Sequence, residues 1–511
     1  MDNPSSKPVT KIGILLVHGV GEQQPGEYVD SFAKVLETAA TAEITGASLT
    51  KHVVNRNPGT IRLGIDPNSN GSKTHIYLHG CDWADLDDPV TLKNRLRFWW
   101  WGFSMWNRRG FMTPKLAGTK KMSVRDPGPL AKVRAQLFLA GTVFCAVALV
   151  FRIVPQVVFS IPVIGRALQT RSKLIFNKLL GNSPLEALVA YVGDVKLYQD
   201  EDRRDAPFER RGEKPRWSIR RRMVRRMIEV AEADYDRWYV AAHSLGTVLA
   251  FNGLMETAEA LPNYLDRSTV ERLRQRQWID DGTPSQRSAM EPPGPPYVHD
   301  RDTLQKDKVF EGLAGFLTFG SPIDKFSTLW PVIVPVDGTP NVFPESFQWV
   351  NIYDDLDPVS GSLDQVDVTG MRKNGGTGRL PTNYGYRNES TLATAHTNYF
   401  AKPGGQDSLA RAFLRWIVGL DMTFEAPLKN RIADDQTGQP FQSRLLIQVL
   451  IIFALLSALL GWAAIEAWNK YIWVLTGTLW SQIGIAATAV GFFCAVLVLI
   501  VGRLNRVICN N

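Results

Sequence analysis

Arg237 to Gly253 reads R-W-Y-V-A-A-H-S-L-G-T-V-L-A-F-N-G, and the fold turns on this stretch. Trp238 to Ala242 is a short apolar run of strand length, and Thr247 to Gly253 reads as the start of a helix rich in small residues. His243-Ser244-Leu245-Gly246 lies between them. A serine at a sharp strand-to-helix turn has its hydroxyl exposed above the sheet. Small residues two before and two after it, Ala242 and Gly246, let strand and helix pack closely. An ordinary strand-to-helix turn of another α/β domain has the same local pattern, so the neighbouring chain decides its meaning.

Upstream, Lys11 to Val17 is a nearly continuous apolar run, the pattern of a strand buried on both faces in a parallel sheet. It ends in His18-Gly19-Val20-Gly21, and a helical pattern follows from Tyr28 to Ala39. Ile61 to Ile65 and Lys73 to His79 read as further strands bounded by turn residues. His79-Gly80 repeats the His-Gly pair, but Cys81-Asp82-Trp83 does not continue it as a glycine-rich loop, so His79 reads as structural. Downstream, Phe316 to Pro322 (F-L-T-F-G-S-P) and Phe347 to Tyr353 are strands, and the second runs into Asp354-Asp355-Leu356-Asp357-Pro358-Val359. Thr391 to Phe400 places His396 on a loop, the only histidine of seven that follows Asp357. Ser408 to Leu420 closes this region as an amphipathic helix. Strands alternating with helices predict an α/β fold with a mostly parallel sheet flanked by helices.

A-H-S-L-G resembles the nucleophile elbow of the α/β-hydrolase superfamily, with Ala242 at the position of the usual first glycine. Gly193-Asp194-Val195 with nearby Tyr198, and F-G-S-P at Phe319 to Pro322, also resemble segments of lipase-like members. The resemblance covers Lys11 to about Leu420, apart from an apolar insertion. It implies that Ser244 is the nucleophile. It also implies that the His18-Gly19 loop supplies one oxyanion donor, the N–H of Val20 with Gly21 as the alternative, and the N–H of Leu245 the other. D-P-V is a frequent setting of the family's acid, which implies Asp357, with Asp355 in reserve and Asp324 a weaker choice. His396, with Tyr399 three residues on, resembles the family's terminal catalytic loop. Ser244, Asp357 and His396 then follow the Ser, Asp, His order of that fold. The implied activity is that of a serine esterase or lipase working through an acyl-enzyme, with no metal or organic cofactor.

The 511 residues suffice for one large domain with insertions, or for two. Four cysteines, Cys81, Cys145, Cys494 and Cys509, have neither disulfide-framework nor zinc spacing, which excludes those classes and favours a reduced compartment. The polar start, Met1 to Thr10, has no export-signal pattern. The net charge of +8 is modest and locally clustered. Arginines fill the polar side of Ser218 to Val230, where Ile219, Met223, Met227 and Val230 recur at helical spacing. This reads as a basic amphipathic helix facing solvent or an anionic partner. No nucleic-acid motif accompanies the basic patches, so nucleic acid is not expected.

Several segments have membrane character. Residues 93–185 form a basic, tryptophan-rich insertion with Phe98-Trp99-Trp100-Trp101 among arginines and lysines, the composition of a headgroup-level segment. Within it, Leu137 to Gly165 is apolar and broken by Pro155 and Pro162. Two full spans need about 40 residues, and a single crossing would put Val20 and Ser244 on opposite sides of the bilayer. The segment is therefore expected to be re-entrant or interfacial. A linker (421–444) leads to a hairpin (445–511) with spans at Leu445 to Ile465 and Ile483 to Gly502. Arg444 and Arg503 flank its outer ends, so the positive-inside bias puts the catalytic domain on the cytoplasmic side. The hydrolase domain is expected in two pieces, 1–92 with the oxyanion loop and 186–420 with elbow, acid and histidine. A charged, proline-rich 260–307 is expected to form an insertion or mobile lid. The expected partners are the lipid bilayer and a lipid or other ester. An esterase or thioesterase acting on soluble or protein-bound acyl groups, or a non-catalytic membrane scaffold, is the competing reading.

Overall fold

Eight strands form one twisted sheet whose order places the first strand near its middle. In chain order the elements are β1 (Thr10–Val17), α1 (Glu27–Glu43), β2 (Ser48–Arg56), β3 (Gly59–Asp66), β4 (Thr74–Cys81), α2 (Pro215–Glu232), β5 (Arg237–His243), α3 (Leu245–Met255), α4 (Arg267–Gln275), β6 (Ile279–Asp281), β7 (Asp302–Leu304), α5 (Lys306–Val309), β8 (Leu313–Phe319), α6 (Ile323–Leu329), β9 (Gln348–Tyr353), β10 (Thr382–Gly385) and α7 (Leu409–Val418). The sheet order is β10-β9-β8-β5-β1-β4-β3-β2. Strands β4, β1, β5, β8, β9 and β10 are parallel, while β3 runs antiparallel to β4 and β2 antiparallel to β3. The computed structural model describes residues 9–19, 26–44, 48–56, 59–66, 73–83, 198, 213–282, 292–329, 334, 341–354, 357, 359–364, 366–375, 380–386, 395–421 and 423–425. All of them belong to one compact unit.

The apolar strand sequences dictate two-sided burial. In β1, Ile12, Ile14 and Leu16 belong to the core shared with α1 and α7, and the alternate residues Leu15 and Val17 are equally buried toward the other face. On that other face, α2 packs against β1 and β4, and α3 against β1 and β5. The result is helix, sheet, helix. The chain leaves β1 toward β4 and returns to β5 on the opposite side of β1. The carboxyl ends of β1 and β5 therefore flank a topological switch point, where open parallel sheets bind ligands.

The arginine-rich α2 departs from the sequence expectation. Arg216, Arg220, Arg221 and Arg226 are buried rather than facing solvent or an anionic surface. Arg221 pairs with Glu213 and donates to the Asn263 carbonyl at 3.1 Å. Arg220 donates to the Tyr198 hydroxyl at 2.9 Å and to Glu256 at 3.2 Å, and Tyr264 donates to the same Glu256 oxygen. Arg226 ties the start of β3 to the end of β4 through the Gly59 and Gly80 carbonyls and Thr60 Oγ1. Guanidinium groups tolerate this because their fixed donors meet several acceptors at once.

The expected lid at 260–307 differs as well. Ala260, Leu261, Tyr264, Leu265, Val270 and Leu273 are buried, and β6 and β7 pair antiparallel. Arg272 donates to the Glu232 carboxylate of α2 at 2.8 and 2.7 Å, and Lys306 Nζ donates to the Glu256 carbonyl at 2.9 Å, so the described part is fastened to the domain. Its apolar residues, thinly spread among charges, nonetheless fall on one side. Among the described residues no helix is long and apolar enough to cross a membrane. The insertion 93–185, with 137–165 inside it, and the hairpin 445–511 lie outside the described residues.

The arginine burial has a measurable consequence. Arg221→Ala removes the cation from the buried Glu213 carboxylate, which keeps the Ser218 hydroxyl as a donor, and should destabilise the domain by about 3–5 kcal/mol. Arg267→Ala, on α4, loses an exposed i,i+4 pair with Glu271 at 2.8 Å and should cost less than about 1 kcal/mol. Denaturant unfolding of the two variants compares them, and equal small losses would contradict the buried role of α2.

Candidate functional site

β5 runs straight into α3 through Ser244, whose φ of 53° and ψ of −132° put a non-glycine residue in a strained backbone region. The turn is held from several sides. Ser244 N–H donates to the Phe319 carbonyl at 3.2 Å, while Thr247 Oγ1 lies 2.7 Å from the Ser244 carbonyl and 2.8 Å from Ser321 Oγ in the F-G-S-P turn. Gly246 sits directly on the Val17 and His18 carbonyls, and any Cβ there would strike them. Gly19, at the end of β1, lies in the same way against Ser244.

Three side chains from distant parts of the chain meet at this turn. Ser244 Oγ is 2.7 Å from His396 Nε2, and His396 Nδ1 is 2.9 Å from Asp357 Oδ2. Asp357 comes from the loop after β9, the strand two places beyond β5 in the sheet. Its other oxygen accepts the Val359 N–H at 2.8 Å, and Oδ2 also accepts the Tyr399 hydroxyl at 2.8 Å. Burial pushes the Asp357 carboxyl up, but His396 and these two donors outweigh it and bring it down to about 2. Tyr399 in turn accepts the Asp354 N–H at 3.1 Å, tying the acid loop to the histidine loop. Burial, and then the Asp357 charge, raise the Tyr399 hydroxyl well above its ordinary value, so it stays a donor. Ser244 and Asp357 are buried, whereas the His396 side chain keeps 18% of its exposure.

Leu245 opens α3, so its N–H is one of the amides that have no acceptor within the helix, and it points from the turn that carries Ser244. His18 is buried beside this turn. Its ring stacks on Trp83 with centroids 5.4 Å apart, and Trp83 donates to its carbonyl at 3.2 Å, which fixes the exit of β1. Val20, Gly21 and Asp355 lie outside the described residues. Asp324 is placed elsewhere: it is buried in a pair with Lys325 at 3.1 Å, and the same Lys325 donates to the Ser360 carbonyl. Through Lys325 it supports the loop that carries Asp357, and it does not meet His396. His79 bonds to Tyr235 at 2.6 Å across the β4 side of the sheet and is not part of this cluster. Among the described residues no group of three or more His, Cys, Asp or Glu is placed to hold a metal ion.

Sequence reasoning passed over His243. Its ring stacks on Phe319, and its Nε2 is 2.8 Å from the His396 carbonyl. A titratable side chain ending an otherwise apolar strand was the available signal. Tyr399 is legible in the sequence only as a spacing from His396, and its link to Asp357 requires the fold. Chemically, the arrangement joins a hydroxyl, an imidazole and an ionised carboxylate in line, at the mouth of the β1/β5 switch point. No protein-family model, curated protein or solved structure matches the chain.

The buried histidines set a pH response. Burial, then the neighbouring His396, lower His243 to about 3, and burial, then Arg226, lower His79 to about 3. Above about pH 6.5 both are neutral whether the chain is folded or not. Between there and about pH 3 only the unfolded chain takes up these protons, so stability falls with pH, by about 1.4 kcal/mol per pH unit per histidine. Denaturant unfolding between pH 6 and 4.5 should show this decline, and His243→Gln should lower its slope by about one proton. An unchanged slope would mean that His243 is protonated in the folded state.

Proposed function

We propose that the chain is a serine hydrolase of the α/β-hydrolase superfamily that cleaves carboxylic esters through an acyl-enzyme on Ser244. The observation that carries this reading is the unbroken relay from Ser244 Oγ through His396 to Asp357, with Ser244 strained at the strand-to-helix turn. Ser244 Oγ attacks the ester carbonyl while His396 Nε2 takes its proton. That proton leaves on the departing alcohol. A water, deprotonated by the same imidazole, then attacks the acyl-enzyme, releases the acid and restores the serine hydroxyl. Asp357 holds His396 with Nδ1 protonated and offsets the positive charge that develops on the ring. The N–H of Leu245, with that of Val20 or Gly21, receives the oxyanion.

We further propose that the substrate is a lipid ester and that the domain works at the cytoplasmic face of a membrane. The support is compositional: the tryptophan-rich basic stretch 93–134, the apolar 137–165 and the two apolar runs of 445–511 are what an anchored enzyme needs to meet a substrate in the bilayer.

A fluorophosphonate probe should label the full-length protein, and Ser244→Ala should abolish labelling; no labelling of well-folded wild type would overturn the enzyme reading. Asp357→Asn should slow ester turnover on the order of 10³–10⁴-fold, the cost of misorienting a triad histidine. A normal rate in that variant would reject Asp357 as the acid. For the substrate, protein reconstituted in phospholipid bilayers should release fatty acid faster than it hydrolyses short soluble esters. The opposite preference would point to a soluble acyl substrate.

A further inference from the structure

We infer that His243 is a positioning residue for the reaction: its Nε2–H holds the main-chain carbonyl of His396 and so sets the height at which the His396 ring meets Ser244. The inference rests on the serine-hydrolase reading above and deepens it. The carbonyl of His396 can only accept, so at 2.8 Å the hydrogen must sit on His243 Nε2. His243 immediately precedes Ser244 and closes β5, so the nucleophile and the clamp on its base are fixed by one strand end. The ring cannot swing away. It stacks on Phe319 with centroids 5.0 Å apart at 18°, and Tyr399 meets it edge-on at 6.2 Å.

The geometry makes this contact more than packing. His396 sits in a short turn, 395–397, and its side chain links it to Ser244 and Asp357. Its backbone is anchored to the sheet through His243. A displacement of about 1 Å would break the 2.7 Å approach of Nε2 to Oγ, and such errors lower rates by about 100-fold. The titratable and charged groups facing His243 are His396, whose ring lies 4.9 Å away, Asp357, Tyr399 and His18. A neutral His243 adds no charge against the imidazolium that forms on His396 during attack. A cation there would oppose it. The residue thus supplies a donor without a charge.

Glutamine and methionine have similar length, but only glutamine donates, so His243→Gln and His243→Met separate the hydrogen bond from the volume. With fluorophosphonate labelling of the full-length protein, at matched folded fraction by circular dichroism, His243→Met should label about 10–100-fold more slowly than wild type. His243→Gln should stay within about threefold. Equal rates in both variants, whether both normal or both slow, would overturn the inference. Absence of labelling in wild type would instead sink the hydrolase reading. If either variant does not fold, ¹⁵N-histidine NMR of the wild type decides. The expected spectrum has His243 protonated on Nε2 alone from pH 8 to 5, and an Nδ1–H tautomer or a titration in that interval would overturn the assignment.

Discussion

The contact on which the site depends is the close approach of the end of β1 to the turn that carries Ser244. Gly246 rests on the carbonyls of Val17 and His18, and Gly19 rests on Ser244. Each glycine leaves the space that the other segment occupies. That mutual fit forces β5 to turn abruptly, which in turn places Ser244 at a positive φ and its hydroxyl beyond the sheet. A strained residue of this kind costs on the order of 1–3 kcal/mol and persists only where its surroundings over-determine it. Here the surroundings are the Phe319 carbonyl, Thr247 and Ser321.

Parallel topology explains how residues more than a hundred positions apart reach that turn. Every parallel strand ends on the same edge of the sheet, so the loops after β1, β5, β8 and β9 are neighbours whatever the length of chain between them. The His18 loop, Ser244, the Ser321 turn and Asp357 each follow one of these strands. His396 comes from later in the chain and is held by its side chain at Asp357 and by its carbonyl at His243. Insertions between strands do not disturb this edge, because they begin and end on loops.

Much of this was legible because strand ends leave local marks. A-H-S-L-G, F-G-S-P and D-D-L-D-P-V combine an apolar run with turn residues, and both features act over a few neighbouring positions. The helix of α1 was readable for the same reason, with ends a few residues beyond those expected. What stayed hidden depends on distant partners. The arginines of α2 look like a solvated face until Glu213, Glu256 and backbone carbonyls from β3 and β4 are brought to them. β2 (S-L-T-K-H-V-V-N-R) gives no strand signal, since it is an edge strand with Val53 and Val54 exposed and with Leu49 only partly buried against the core. The four-residue β10 is too short to have a period. Asp324 and Asp357 are both aspartates a few residues past a strand, and only the fold separates them, because Lys325 claims the first and His396 the second.

Among the described residues the charge states around the triad are mutually consistent. Asp357 stays ionised because its two oxygens have three donors, His396, Val359 and Tyr399. Tyr399 and His243 are both buried and both held uncharged, so the carboxylate is the one formal charge in hydrogen-bonding contact with the His396 ring among the described residues. In the proposed chemistry, the carboxylate beside the imidazole offsets the positive charge that develops there when a proton is taken from Ser244. The two neutral donors keep that advantage: exchanging either for a cation would neutralise the carboxylate or repel the imidazolium. The proposed chemistry therefore depends as much on which buried groups remain uncharged as on the one that does not.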